Sequence, residues 1–316
     1  MSTSVQTKKF LCIILSPLFL LLAYPPYSLW PCAFIALVPW FYILAVSTFA
    51  EAAILSYGIG IFFFSGALYW ISHVSSFGMV FVVFFLSLFW ALAGMLMQQF
   101  FACGEVLRHP VRGALVTASL WVAVEWLRSA LPSFGLGWML LAYSQTCNIP
   151  FIQIADAMGA YGVSFLIVSS NVLMYGALRT IVHGPRKIFV WSVCMLLSLY
   201  GLVSWYGVYR LSAQPSGVAV RVGIVQGNVS QEEKWEPALK DLIIEKYARL
   251  IEFISYDAPD LVVLPEACYP GYFEREFPTS LWYITIREKQ VPVLLGAIRI
   301  DDDAEYNSAF FIDADG

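Results

Sequence analysis

The sequence is poor in charged residues and in side chains that bind metals. Only 13% of its 316 residues are charged, and histidine occurs three times, as His73, His109 and His183. Each histidine lies at the end of an apolar run, and the six cysteines form no CxxC pair and no Cys/His metal spacing. We therefore expect no metal site, no cofactor and no nucleic-acid partner.

What the sequence has in abundance is apolar residues. They make up 59% of the chain, and the mean hydropathy of +0.72 is typical of a membrane protein. Charge is divided unevenly, since residues 1–210 carry a net +5 and residues 211–316 a net −9. We therefore predict a membrane domain over 1–210, a short polar linker over 211–217 and a soluble domain over 218–316.

The membrane domain contains runs of the length that a bilayer requires. A hydrocarbon core about 30 Å thick needs about 20 apolar residues of helix. We predict seven transmembrane helices, over Phe10–Tyr24, Pro31–Phe49, Ala52–Ile71, Gly78–Ala102, Gly113–Leu131, Gly159–Ile181 and Ile188–Tyr209. The first run is short and contains Pro17, so it also fits a signal-peptide core. We favour a retained span because Pro25-Pro26-Tyr27 is a poor cleavage site.

Basic residues predict the orientation of these spans. Seven of the nine Lys and Arg residues in 1–210 lie on one side of the membrane if the N-terminus is cytoplasmic, and cytoplasmic connections carry the excess of such residues. An odd number of spans then places the acidic domain on the outer face. In a bacterium with two membranes, this predicts an inner-membrane protein with a periplasmic domain.

The connection between the fifth and sixth spans is long and aromatic. Its first part, residues 132–145, includes Trp138 and Tyr143, together with Gly135 and Gly137, which permit a re-entrant or surface-hugging path. One interpretation is an aromatic belt at the lipid headgroups. The other is a mobile arm that handles a lipid substrate.

A carboxylate lies inside the fifth predicted span. Glu125 precedes Arg128 by three residues, so a helix places the two side chains on one face. Ionisable residues within a span are usually paired or functional. We expect a structural pair, because the alternative, a proton path, needs more buried acids than this chain has.

The sequence after residue 217 alternates between strand and helix patterns, which predicts a sheet covered by helices. The predicted strands are Val218–Gln226, Leu261–Leu264, Val291–Ile300 and Ala309–Ile312, and the predicted helices are Glu236–Tyr256 and Phe277–Lys289.

One of these strands runs directly into an acid, in the segment Asp260–Glu266. A strand that ends at a Pro-Glu corner presents its carboxylate at the rim of the sheet, where a general base can meet a substrate. The alternative is that Glu266 caps the next helix or binds backbone amides.

Several short motifs occur in an order that resembles one family. In the second half they are Gln226-Gly227-Asn228, Lys234-Trp235, Leu264-Pro265-Glu266 and Tyr306-Asn307-Ser308. In the membrane half they are Tyr27-Ser-Leu-Trp30-Pro31, Gly66-Ala-Leu-Tyr69-Trp70, Trp121 with Glu125-Trp126-Leu-Arg128, and Tyr143-Ser144-Gln145. Together they resemble bacterial apolipoprotein N-acyltransferases along nearly the whole chain.

The resemblance implies a fold and a reaction. The fold is a multi-pass α-helical membrane domain followed by an α/β nitrilase-type domain, an α-β-β-α sandwich. The reaction moves an acyl chain from a membrane phospholipid to the N-terminal cysteine of a diacylated apolipoprotein, through a thioester and a Glu–Lys–Cys triad. Glu266 matches the catalytic Glu, Trp235 matches a loop aromatic near the active site, and Trp138 in the arm is a candidate lipid contact.

The Lys and Cys of that triad lie downstream of the segment that matches Tyr306-Asn307-Ser308. Lys289 has the pattern of a solvated helix end, and Cys268 stands at the wrong place in the family's order. We therefore expect an incomplete nitrilase-type domain and an N-terminal part of the enzyme, inactive alone. A separate chain that supplies the remaining segment is one alternative.

Two alternative hypotheses for the function are a non-enzymatic membrane protein and a different membrane-tethered enzyme. A non-enzymatic transporter or lipid-handling scaffold would have charged or broken spans near the midplane. A membrane-tethered nitrilase-type amidase would lack the aromatic arm.

Overall fold

A computed structural model describes residues 3–132, 134–183, 185–213, 217–301 and 304–316. The chain divides into two compact units, Met1–Gln214 and Pro215–Gly316. Residues 214–216 of the predicted linker lie outside the described residues.

The first unit is a bundle of apolar helices. Its longer helices are α1 (Thr3–Ala23), α2 (Val38–Val46), α3 (Phe49–Ala67), α4 (Ser76–Ala102), α5 (Pro110–Ala130), α6 (Ala155–His183) and α7 (Arg186–Ser212). Shorter elements are the helices Glu105–Arg108 and Ile149–Ile152 and the 3₁₀ helices Trp30–Phe34, Tyr69–His73 and Leu141–Gln145.

Five helices in the described part of the chain are long and apolar enough to cross a membrane. They are Val5–Ala23, Phe49–Ala67, Ser76–Ala102, Ala155–Ile181 and Arg186–Ser212. Each corresponds to one of the seven predicted spans, which confirms a multi-pass helical membrane region. The second and fifth predicted spans differ from this pattern.

The second predicted span, Pro31–Phe49, is wrong as a continuous helix. It forms the 3₁₀ helix Trp30–Phe34 and the nine-residue α2, two elements separated by a turn. A proline lies in the first turn of each element, Pro31 in the first and Pro39 in the second. Proline lacks a backbone N–H and fits the first turn of a helix better than its interior, so a break before Pro39 is favoured.

Buried polar side chains satisfy the backbone groups that this break leaves free. Asn171 accepts a hydrogen bond from Leu37 N at 2.9 Å and donates one to Ala33 O at 2.8 Å. The Ser16 hydroxyl donates to Ala36 O at 2.6 Å. Irregular backbone at membrane depth is tolerated where protein groups replace the missing bonds.

The fifth predicted span, Gly113–Leu131, forms α5, a helix of 21 residues. Among the described helices, α5 is not one of the five that are apolar enough to span by composition. Arg112, Glu125 and Arg128 lower its hydropathy, and the last two are buried inside the unit. A count of seven crossings therefore stays a prediction.

Three tryptophans meet in the core of the bundle. Trp40 lies 5.2 Å from Trp90 and 5.7 Å from Trp121, measured between ring centroids, and Trp90 lies 5.1 Å from Trp121. All three contacts are edge-on, which is the favoured geometry for aromatic rings. This cluster joins α2, α4 and α5.

The second unit contains a four-stranded sheet in the order β1-β2-β3-β4. The strands are β1 (Val222–Ile224), β2 (Leu261–Val263), β3 (Val293–Asp301) and β4 (Ala304–Ile312). The first three are parallel, and β4 is antiparallel to β3. The helices are α8 (Lys240–Ser255), α9 (Leu281–Lys289), Gln231–Lys234 and Phe273–Glu276, with 3₁₀ helices at Pro237–Leu239 and Phe277–Thr279.

The sheet is a small mixed sheet, and each predicted strand is present with altered bounds. β1 is shorter than predicted because its partner β2 pairs with it over only three residues. β4 begins at Ala304 rather than Ala309, because its hairpin with β3 gives it a long ladder from Asp301↔Ala304 to Val293↔Ile312.

Within the described residues of the second unit, α8 and α9 cover one face of the sheet, and the other face is partly exposed. Val262 and Leu295 lie on the covered face and are buried with Ile251 of α8 and Trp282 of α9. On the other face, residues paired in register form a row across all four strands, namely Ile224, Val263, Leu294 and Phe311. The ends of this row, Ile224 and Phe311, are 78% and 63% exposed.

Candidate functional site

Glu266 lies just beyond the carboxyl end of β2, where β3 passes close to its backbone. A Cβ atom at Gly296 would lie 2.6 Å from Glu266 Cα, so only glycine fits there. Gly296 N donates to Pro265 O at 3.2 Å, and Cys268 N donates to Gly296 O at 2.9 Å. Ala267 has a φ of 45°, which turns the chain away from the sheet. The exposed carboxylate is therefore carried on a closely held corner.

Two side chains from other elements contact Glu266. Asn307 Nδ2, from β4, donates a hydrogen bond to the carboxylate atom Oε1. Lys234 Nζ donates to the main-chain oxygen of Glu266 at 3.0 Å. One carboxylate oxygen is thus oriented by an amide, and an ammonium group lies beside the same corner.

Glu266 lines a cavity of about 240 Å³ in the second unit, together with Gln226, Lys234, Tyr247 and Cys268. Lys234 also lines a second cavity of about 430 Å³, which contains Trp235, Pro270, Tyr272 and Ile298. Trp235 is half-exposed, and Lys234 Nζ lies 5.9 Å from the centroid of its ring. Lys234 therefore lines both cavities, one together with Glu266 and the other together with Trp235. The exposed carboxylate of Glu266 can accept a proton from a substrate bound in the first cavity.

Cys268 lines the same cavity as Glu266, but its thiol is held inward. The residue is only 2% exposed, and Sγ donates to Gly296 O at 3.4 Å. Burial raises the pKa of the Cys268 thiol to about 12. Because the thiolate is the nucleophilic form, Cys268 is a poor nucleophile near neutral pH.

Lys289 is engaged elsewhere in the second unit. Its Nζ lies 2.9 Å from Glu252 Oε1 of α8, and it is therefore occupied by a structural ion pair.

Trp138 belongs to the first unit, where its half-exposed ring packs against that of Trp70 at a centroid distance of 5.2 Å. Glu125 and Arg128, close to it, do not form the predicted ion pair with each other in the described structure. Arg128 Nη1 donates to Trp138 O at 2.6 Å, and Glu125 Oε1 accepts from Leu141 N at 2.8 Å. Arg128 and Glu125 bond to Trp138 O and Leu141 N and not to each other, because these two backbone groups have no partner within a helix.

Lys234 and Asn307 contact Glu266, although no role was predicted for either from the sequence. Both belong to the motifs Lys234-Trp235 and Tyr306-Asn307-Ser308 that carry the resemblance. These motifs indicate that the two residues matter, but the contact of Asn307 with Glu266 follows only from the pairing of β4 with β3.

These features describe a multi-pass membrane protein with an exposed acid at a strand end. The family model for the apolipoprotein N-acyltransferase N-terminal domain matches residues 16–173, which is about half of the chain. The chain therefore belongs to the apolipoprotein N-acyltransferase family.

Relatives from several bacteria are similar to it over most of its length. An apolipoprotein N-acyltransferase of Geobacter metallireducens is 30% identical over 98% of this chain and 61% of the relative. Those of Shewanella oneidensis and Vibrio parahaemolyticus are 32% and 28% identical, over 79% and 91% of this chain and 48% and 56% of their own lengths. The chain thus spans about half to three fifths of these relatives.

Proposed function

We propose that this chain takes part in the N-acylation of apolipoproteins, with a membrane phospholipid as acyl donor and the N-terminal diacylglyceryl-cysteine of an apolipoprotein as acceptor. The observation that carries the proposal is the position of Glu266, exposed at a strand end and oriented by Asn307, in a chain of this family. Family membership also favours this function over a transporter or a tethered amidase.

In the proposed reaction Glu266 is the general base. It takes the proton of a cysteine thiol, and the thiolate attacks the ester carbonyl of the phospholipid. Collapse of the intermediate forms a thioester and releases a lysophospholipid. The lipoprotein amine then attacks the thioester, the amide forms and the thiol is restored. A lysine stabilises the oxyanion in both steps.

Within the described residues of the second unit the one cysteine is Cys268, which is buried with a pKa of about 12 and is a poor candidate for this thiol. We propose that the thiol and the oxyanion-stabilising lysine lie outside residues 1–316, in the same polypeptide or in a partner chain.

We also propose that the second unit is the first half of a nitrilase-type α-β-β-α sandwich over residues 218–316. The uncovered row Ile224, Val263, Leu294 and Phe311 supports this, because a second layer would remove these apolar side chains from water. Trp235 and Trp138 are the proposed substrate contacts.

The proposed location is the bacterial inner membrane, with a cytoplasmic N-terminus and the second unit in the periplasm. Reporter fusions after Arg186 and after Gln214 test this orientation. The first should report the cytoplasm and the second the periplasm, and an identical result from both would contradict it.

Catalysis by Glu266 can be tested in a chimera that joins residues 1–316 to the remaining segment of the Geobacter metallireducens relative. The assay follows transfer of a labelled acyl chain from phospholipid to a diacylated lipopeptide. Glu266→Gln keeps the hydrogen bond to Asn307 but removes the base, which should lower turnover by about 10²–10⁴-fold. The matched control is Glu288→Gln, which changes an exposed carboxylate on α9. Equal turnover of Glu266→Gln and the unchanged chimera would assign Glu266 a structural role.

A further inference from the structure

The aromatic connection of the first unit is held at several points, by side chains of α5 and α6, by Tyr24 directly after α1, and by its own Gln145. In addition to the bonds from Glu125 and Arg128 of α5, Tyr24 Oη donates to Leu140 O at 2.8 Å, and Ala142 N donates to Ser164 Oγ at 3.0 Å. Gln145 Nε2, within the connection, donates to Trp30 O at 3.1 Å. Residues 138–145 are therefore anchored to Tyr24 directly after α1, to α5 and α6, and to the 3₁₀ helix Trp30–Phe34, which does not fit a freely mobile arm.

The backbone of this segment adopts a conformation that requires support. Met139 has a φ of 55°, a left-handed conformation that is unfavourable for a residue with a side chain. Arg128 bonds the residue before Met139, and Tyr24 and Glu125 bond the next two residues. Such a conformation persists where its surroundings over-determine it, and these are often functional positions.

Glu125 and Arg128 are both buried beside a small cavity. It is 5% exposed and Arg128 is 4% exposed. Its second oxygen, Oε2, and the Trp121 indole nitrogen are buried without a hydrogen-bond partner within the described residues. Both residues line a largely aromatic cavity of about 30 Å³, which has room for about one water molecule.

The held segment presents an aromatic pair to the surroundings of the bundle. The rings of Trp138 and Trp70 are in contact, with 45% and 42% of each residue exposed. Trp70 is part of the 3₁₀ helix Tyr69–His73, between α3 and α4. Trp138 is the first residue of the turn that Glu125 and Arg128 bind, whereas Trp70 belongs to a different element.

We propose that Glu125 and Arg128 are positioning residues that fix the Trp138–Leu141 turn, so that Trp138 and Trp70 form a preorganised contact surface for a phospholipid acyl chain. The lipid part of this inference rests on the proposed function, and the positioning part does not. Each of the two buried side chains bonds to the backbone of the turn, since Arg128 donates to Trp138 O and Glu125 accepts from Leu141 N.

The test compares two conservative variants of Glu125 in the full chain, reconstituted in lipid nanodiscs. Glu125→Gln keeps the length of the side chain and an oxygen for Leu141 N but removes the charge. Glu125→Asp keeps the charge but is one methylene too short to make this bond in place. Glu105→Gln, which changes a half-exposed acid paired with the exposed Arg108, is the control.

Amide hydrogen exchange over residues 138–142 is the first measurement. If Glu125 positions the turn, exchange should accelerate about tenfold or more in Glu125→Asp, which loses the bond to Leu141 N. In Glu125→Gln exchange should stay within about threefold, because the bond is kept and is only weakened by the loss of charge. Exchange in α6 should not change. Faster exchange in Glu125→Gln than in Glu125→Asp would show that the charge of Glu125 matters and not its bond to the turn, which would overturn the proposal. Equal exchange in the unchanged protein and both Glu125 variants would also overturn it.

Quenching of tryptophan fluorescence by phospholipids brominated in their acyl chains is the second measurement. The contribution of Trp138, obtained by subtracting the signal of Trp138→Phe, should fall by about half or more in Glu125→Asp and should be retained in Glu125→Gln. Accelerated exchange with unchanged quenching would support positioning of the turn and contradict the dependence of the lipid contact on it, and absence of quenching of Trp138 in the unchanged protein would contradict the lipid contact itself.

Discussion

In the membrane unit, buried polar side chains bond to main-chain groups that are distant in sequence, whereas in the second unit charged side chains lie at the surface and pair with one another. Asn171, Tyr24 and Gln145 illustrate the first pattern, each reaching a carbonyl more than 100 positions away. Glu252 with Lys289 illustrates the second. The difference follows from the solvent, because lipid offers no hydrogen bonds to a broken helix and water does.

This contrast changes what a polar residue means in each unit. In the membrane unit a buried amide or carboxylate can mark a place where the backbone leaves the helix, as Asn171 does beside the break before α2. In the second unit the fold is defined by apolar residues, and the informative polar groups are those at strand ends, such as Glu266 and Asn307.

The reactivity of cysteine should separate the interior of the second unit from an exposed connection in the first. Cys268 is buried with a pKa of about 12, whereas Cys147 is exposed. Compared with an ordinary thiol of pKa about 8.5–9, this lowers the thiolate fraction by about a thousandfold at pH 8. Alkylation with a water-soluble maleimide, followed by mass spectrometry, should modify Cys147 at least about a thousandfold faster.

The same experiment has an internal control. In denaturant both cysteines should react at similar rates, because burial no longer affects Cys268. Rapid alkylation of Cys268 in the folded protein, or a thioester on it after incubation with phospholipid, would contradict this account and make Cys268 the nucleophile.

Trp282 is the centre of the apolar core of the second unit. It is 0% exposed, its Nε1 donates to Ile244 O at 2.7 Å, and its ring contacts those of Tyr247 and Tyr269. Replacement by alanine should lower the free energy of unfolding by about 3–5 kcal/mol. Denaturant unfolding followed by circular dichroism measures it, and Trp235→Ala, at a half-exposed site, should have a much smaller effect.

Asn171 tests the opposite principle in the membrane unit. Asn171→Leu preserves size but leaves Leu37 N and Ala33 O without their partner, which should cost about 1–3 kcal/mol. Thermal unfolding in detergent micelles measures the loss.

Ser170→Ala is the matched control for Asn171→Leu. Ser170 is equally buried, but its hydroxyl bonds only to Leu166 O within its own helix. Removal of this hydroxyl leaves no backbone group unpaired, so stability should change little. Equal losses from the two variants would contradict the idea that Asn171 supports the broken helix.

The sequence predicted the elements of this chain better than the contacts between them. Hydropathy located five spans, and strand patterns located all four strands, because both are local properties. The break near Leu37 was missed because its support comes from Asn171, 134 positions away. The Glu125–Arg128 pair was predicted from helical spacing alone. Its actual partners depend on the path of residues 138–141, which no local pattern encodes.

The same limit applies to the candidate site. The position of Glu266 at the end of a strand follows from its own segment, Asp260–Glu266. Its contact with Asn307 depends on a register that only the β3–β4 pairing establishes. The inertness of Cys268 likewise depends on burial beneath β3 and not on its spacing from Glu266.

The smallest expected effect concerns the surface ion pair between Lys289 and Glu252. The hydrogen bond from Lys289 lowers the pKa of Glu252 below its ordinary value of 4.5, so the folded protein binds this proton less readily than the unfolded chain does. The pair therefore contributes stability at pH values above about 4.5, and that contribution disappears as the pH falls through the lowered pKa. Thermal unfolding of the unchanged protein and of Glu252→Gln should differ slightly at pH 7 and converge as the pH falls through the lowered pKa of Glu252. A difference that grows on acidification would contradict the assignment, and a difference at pH 7 as large as that of Asn171→Leu would contradict the contrast between exposed and membrane-buried polar groups.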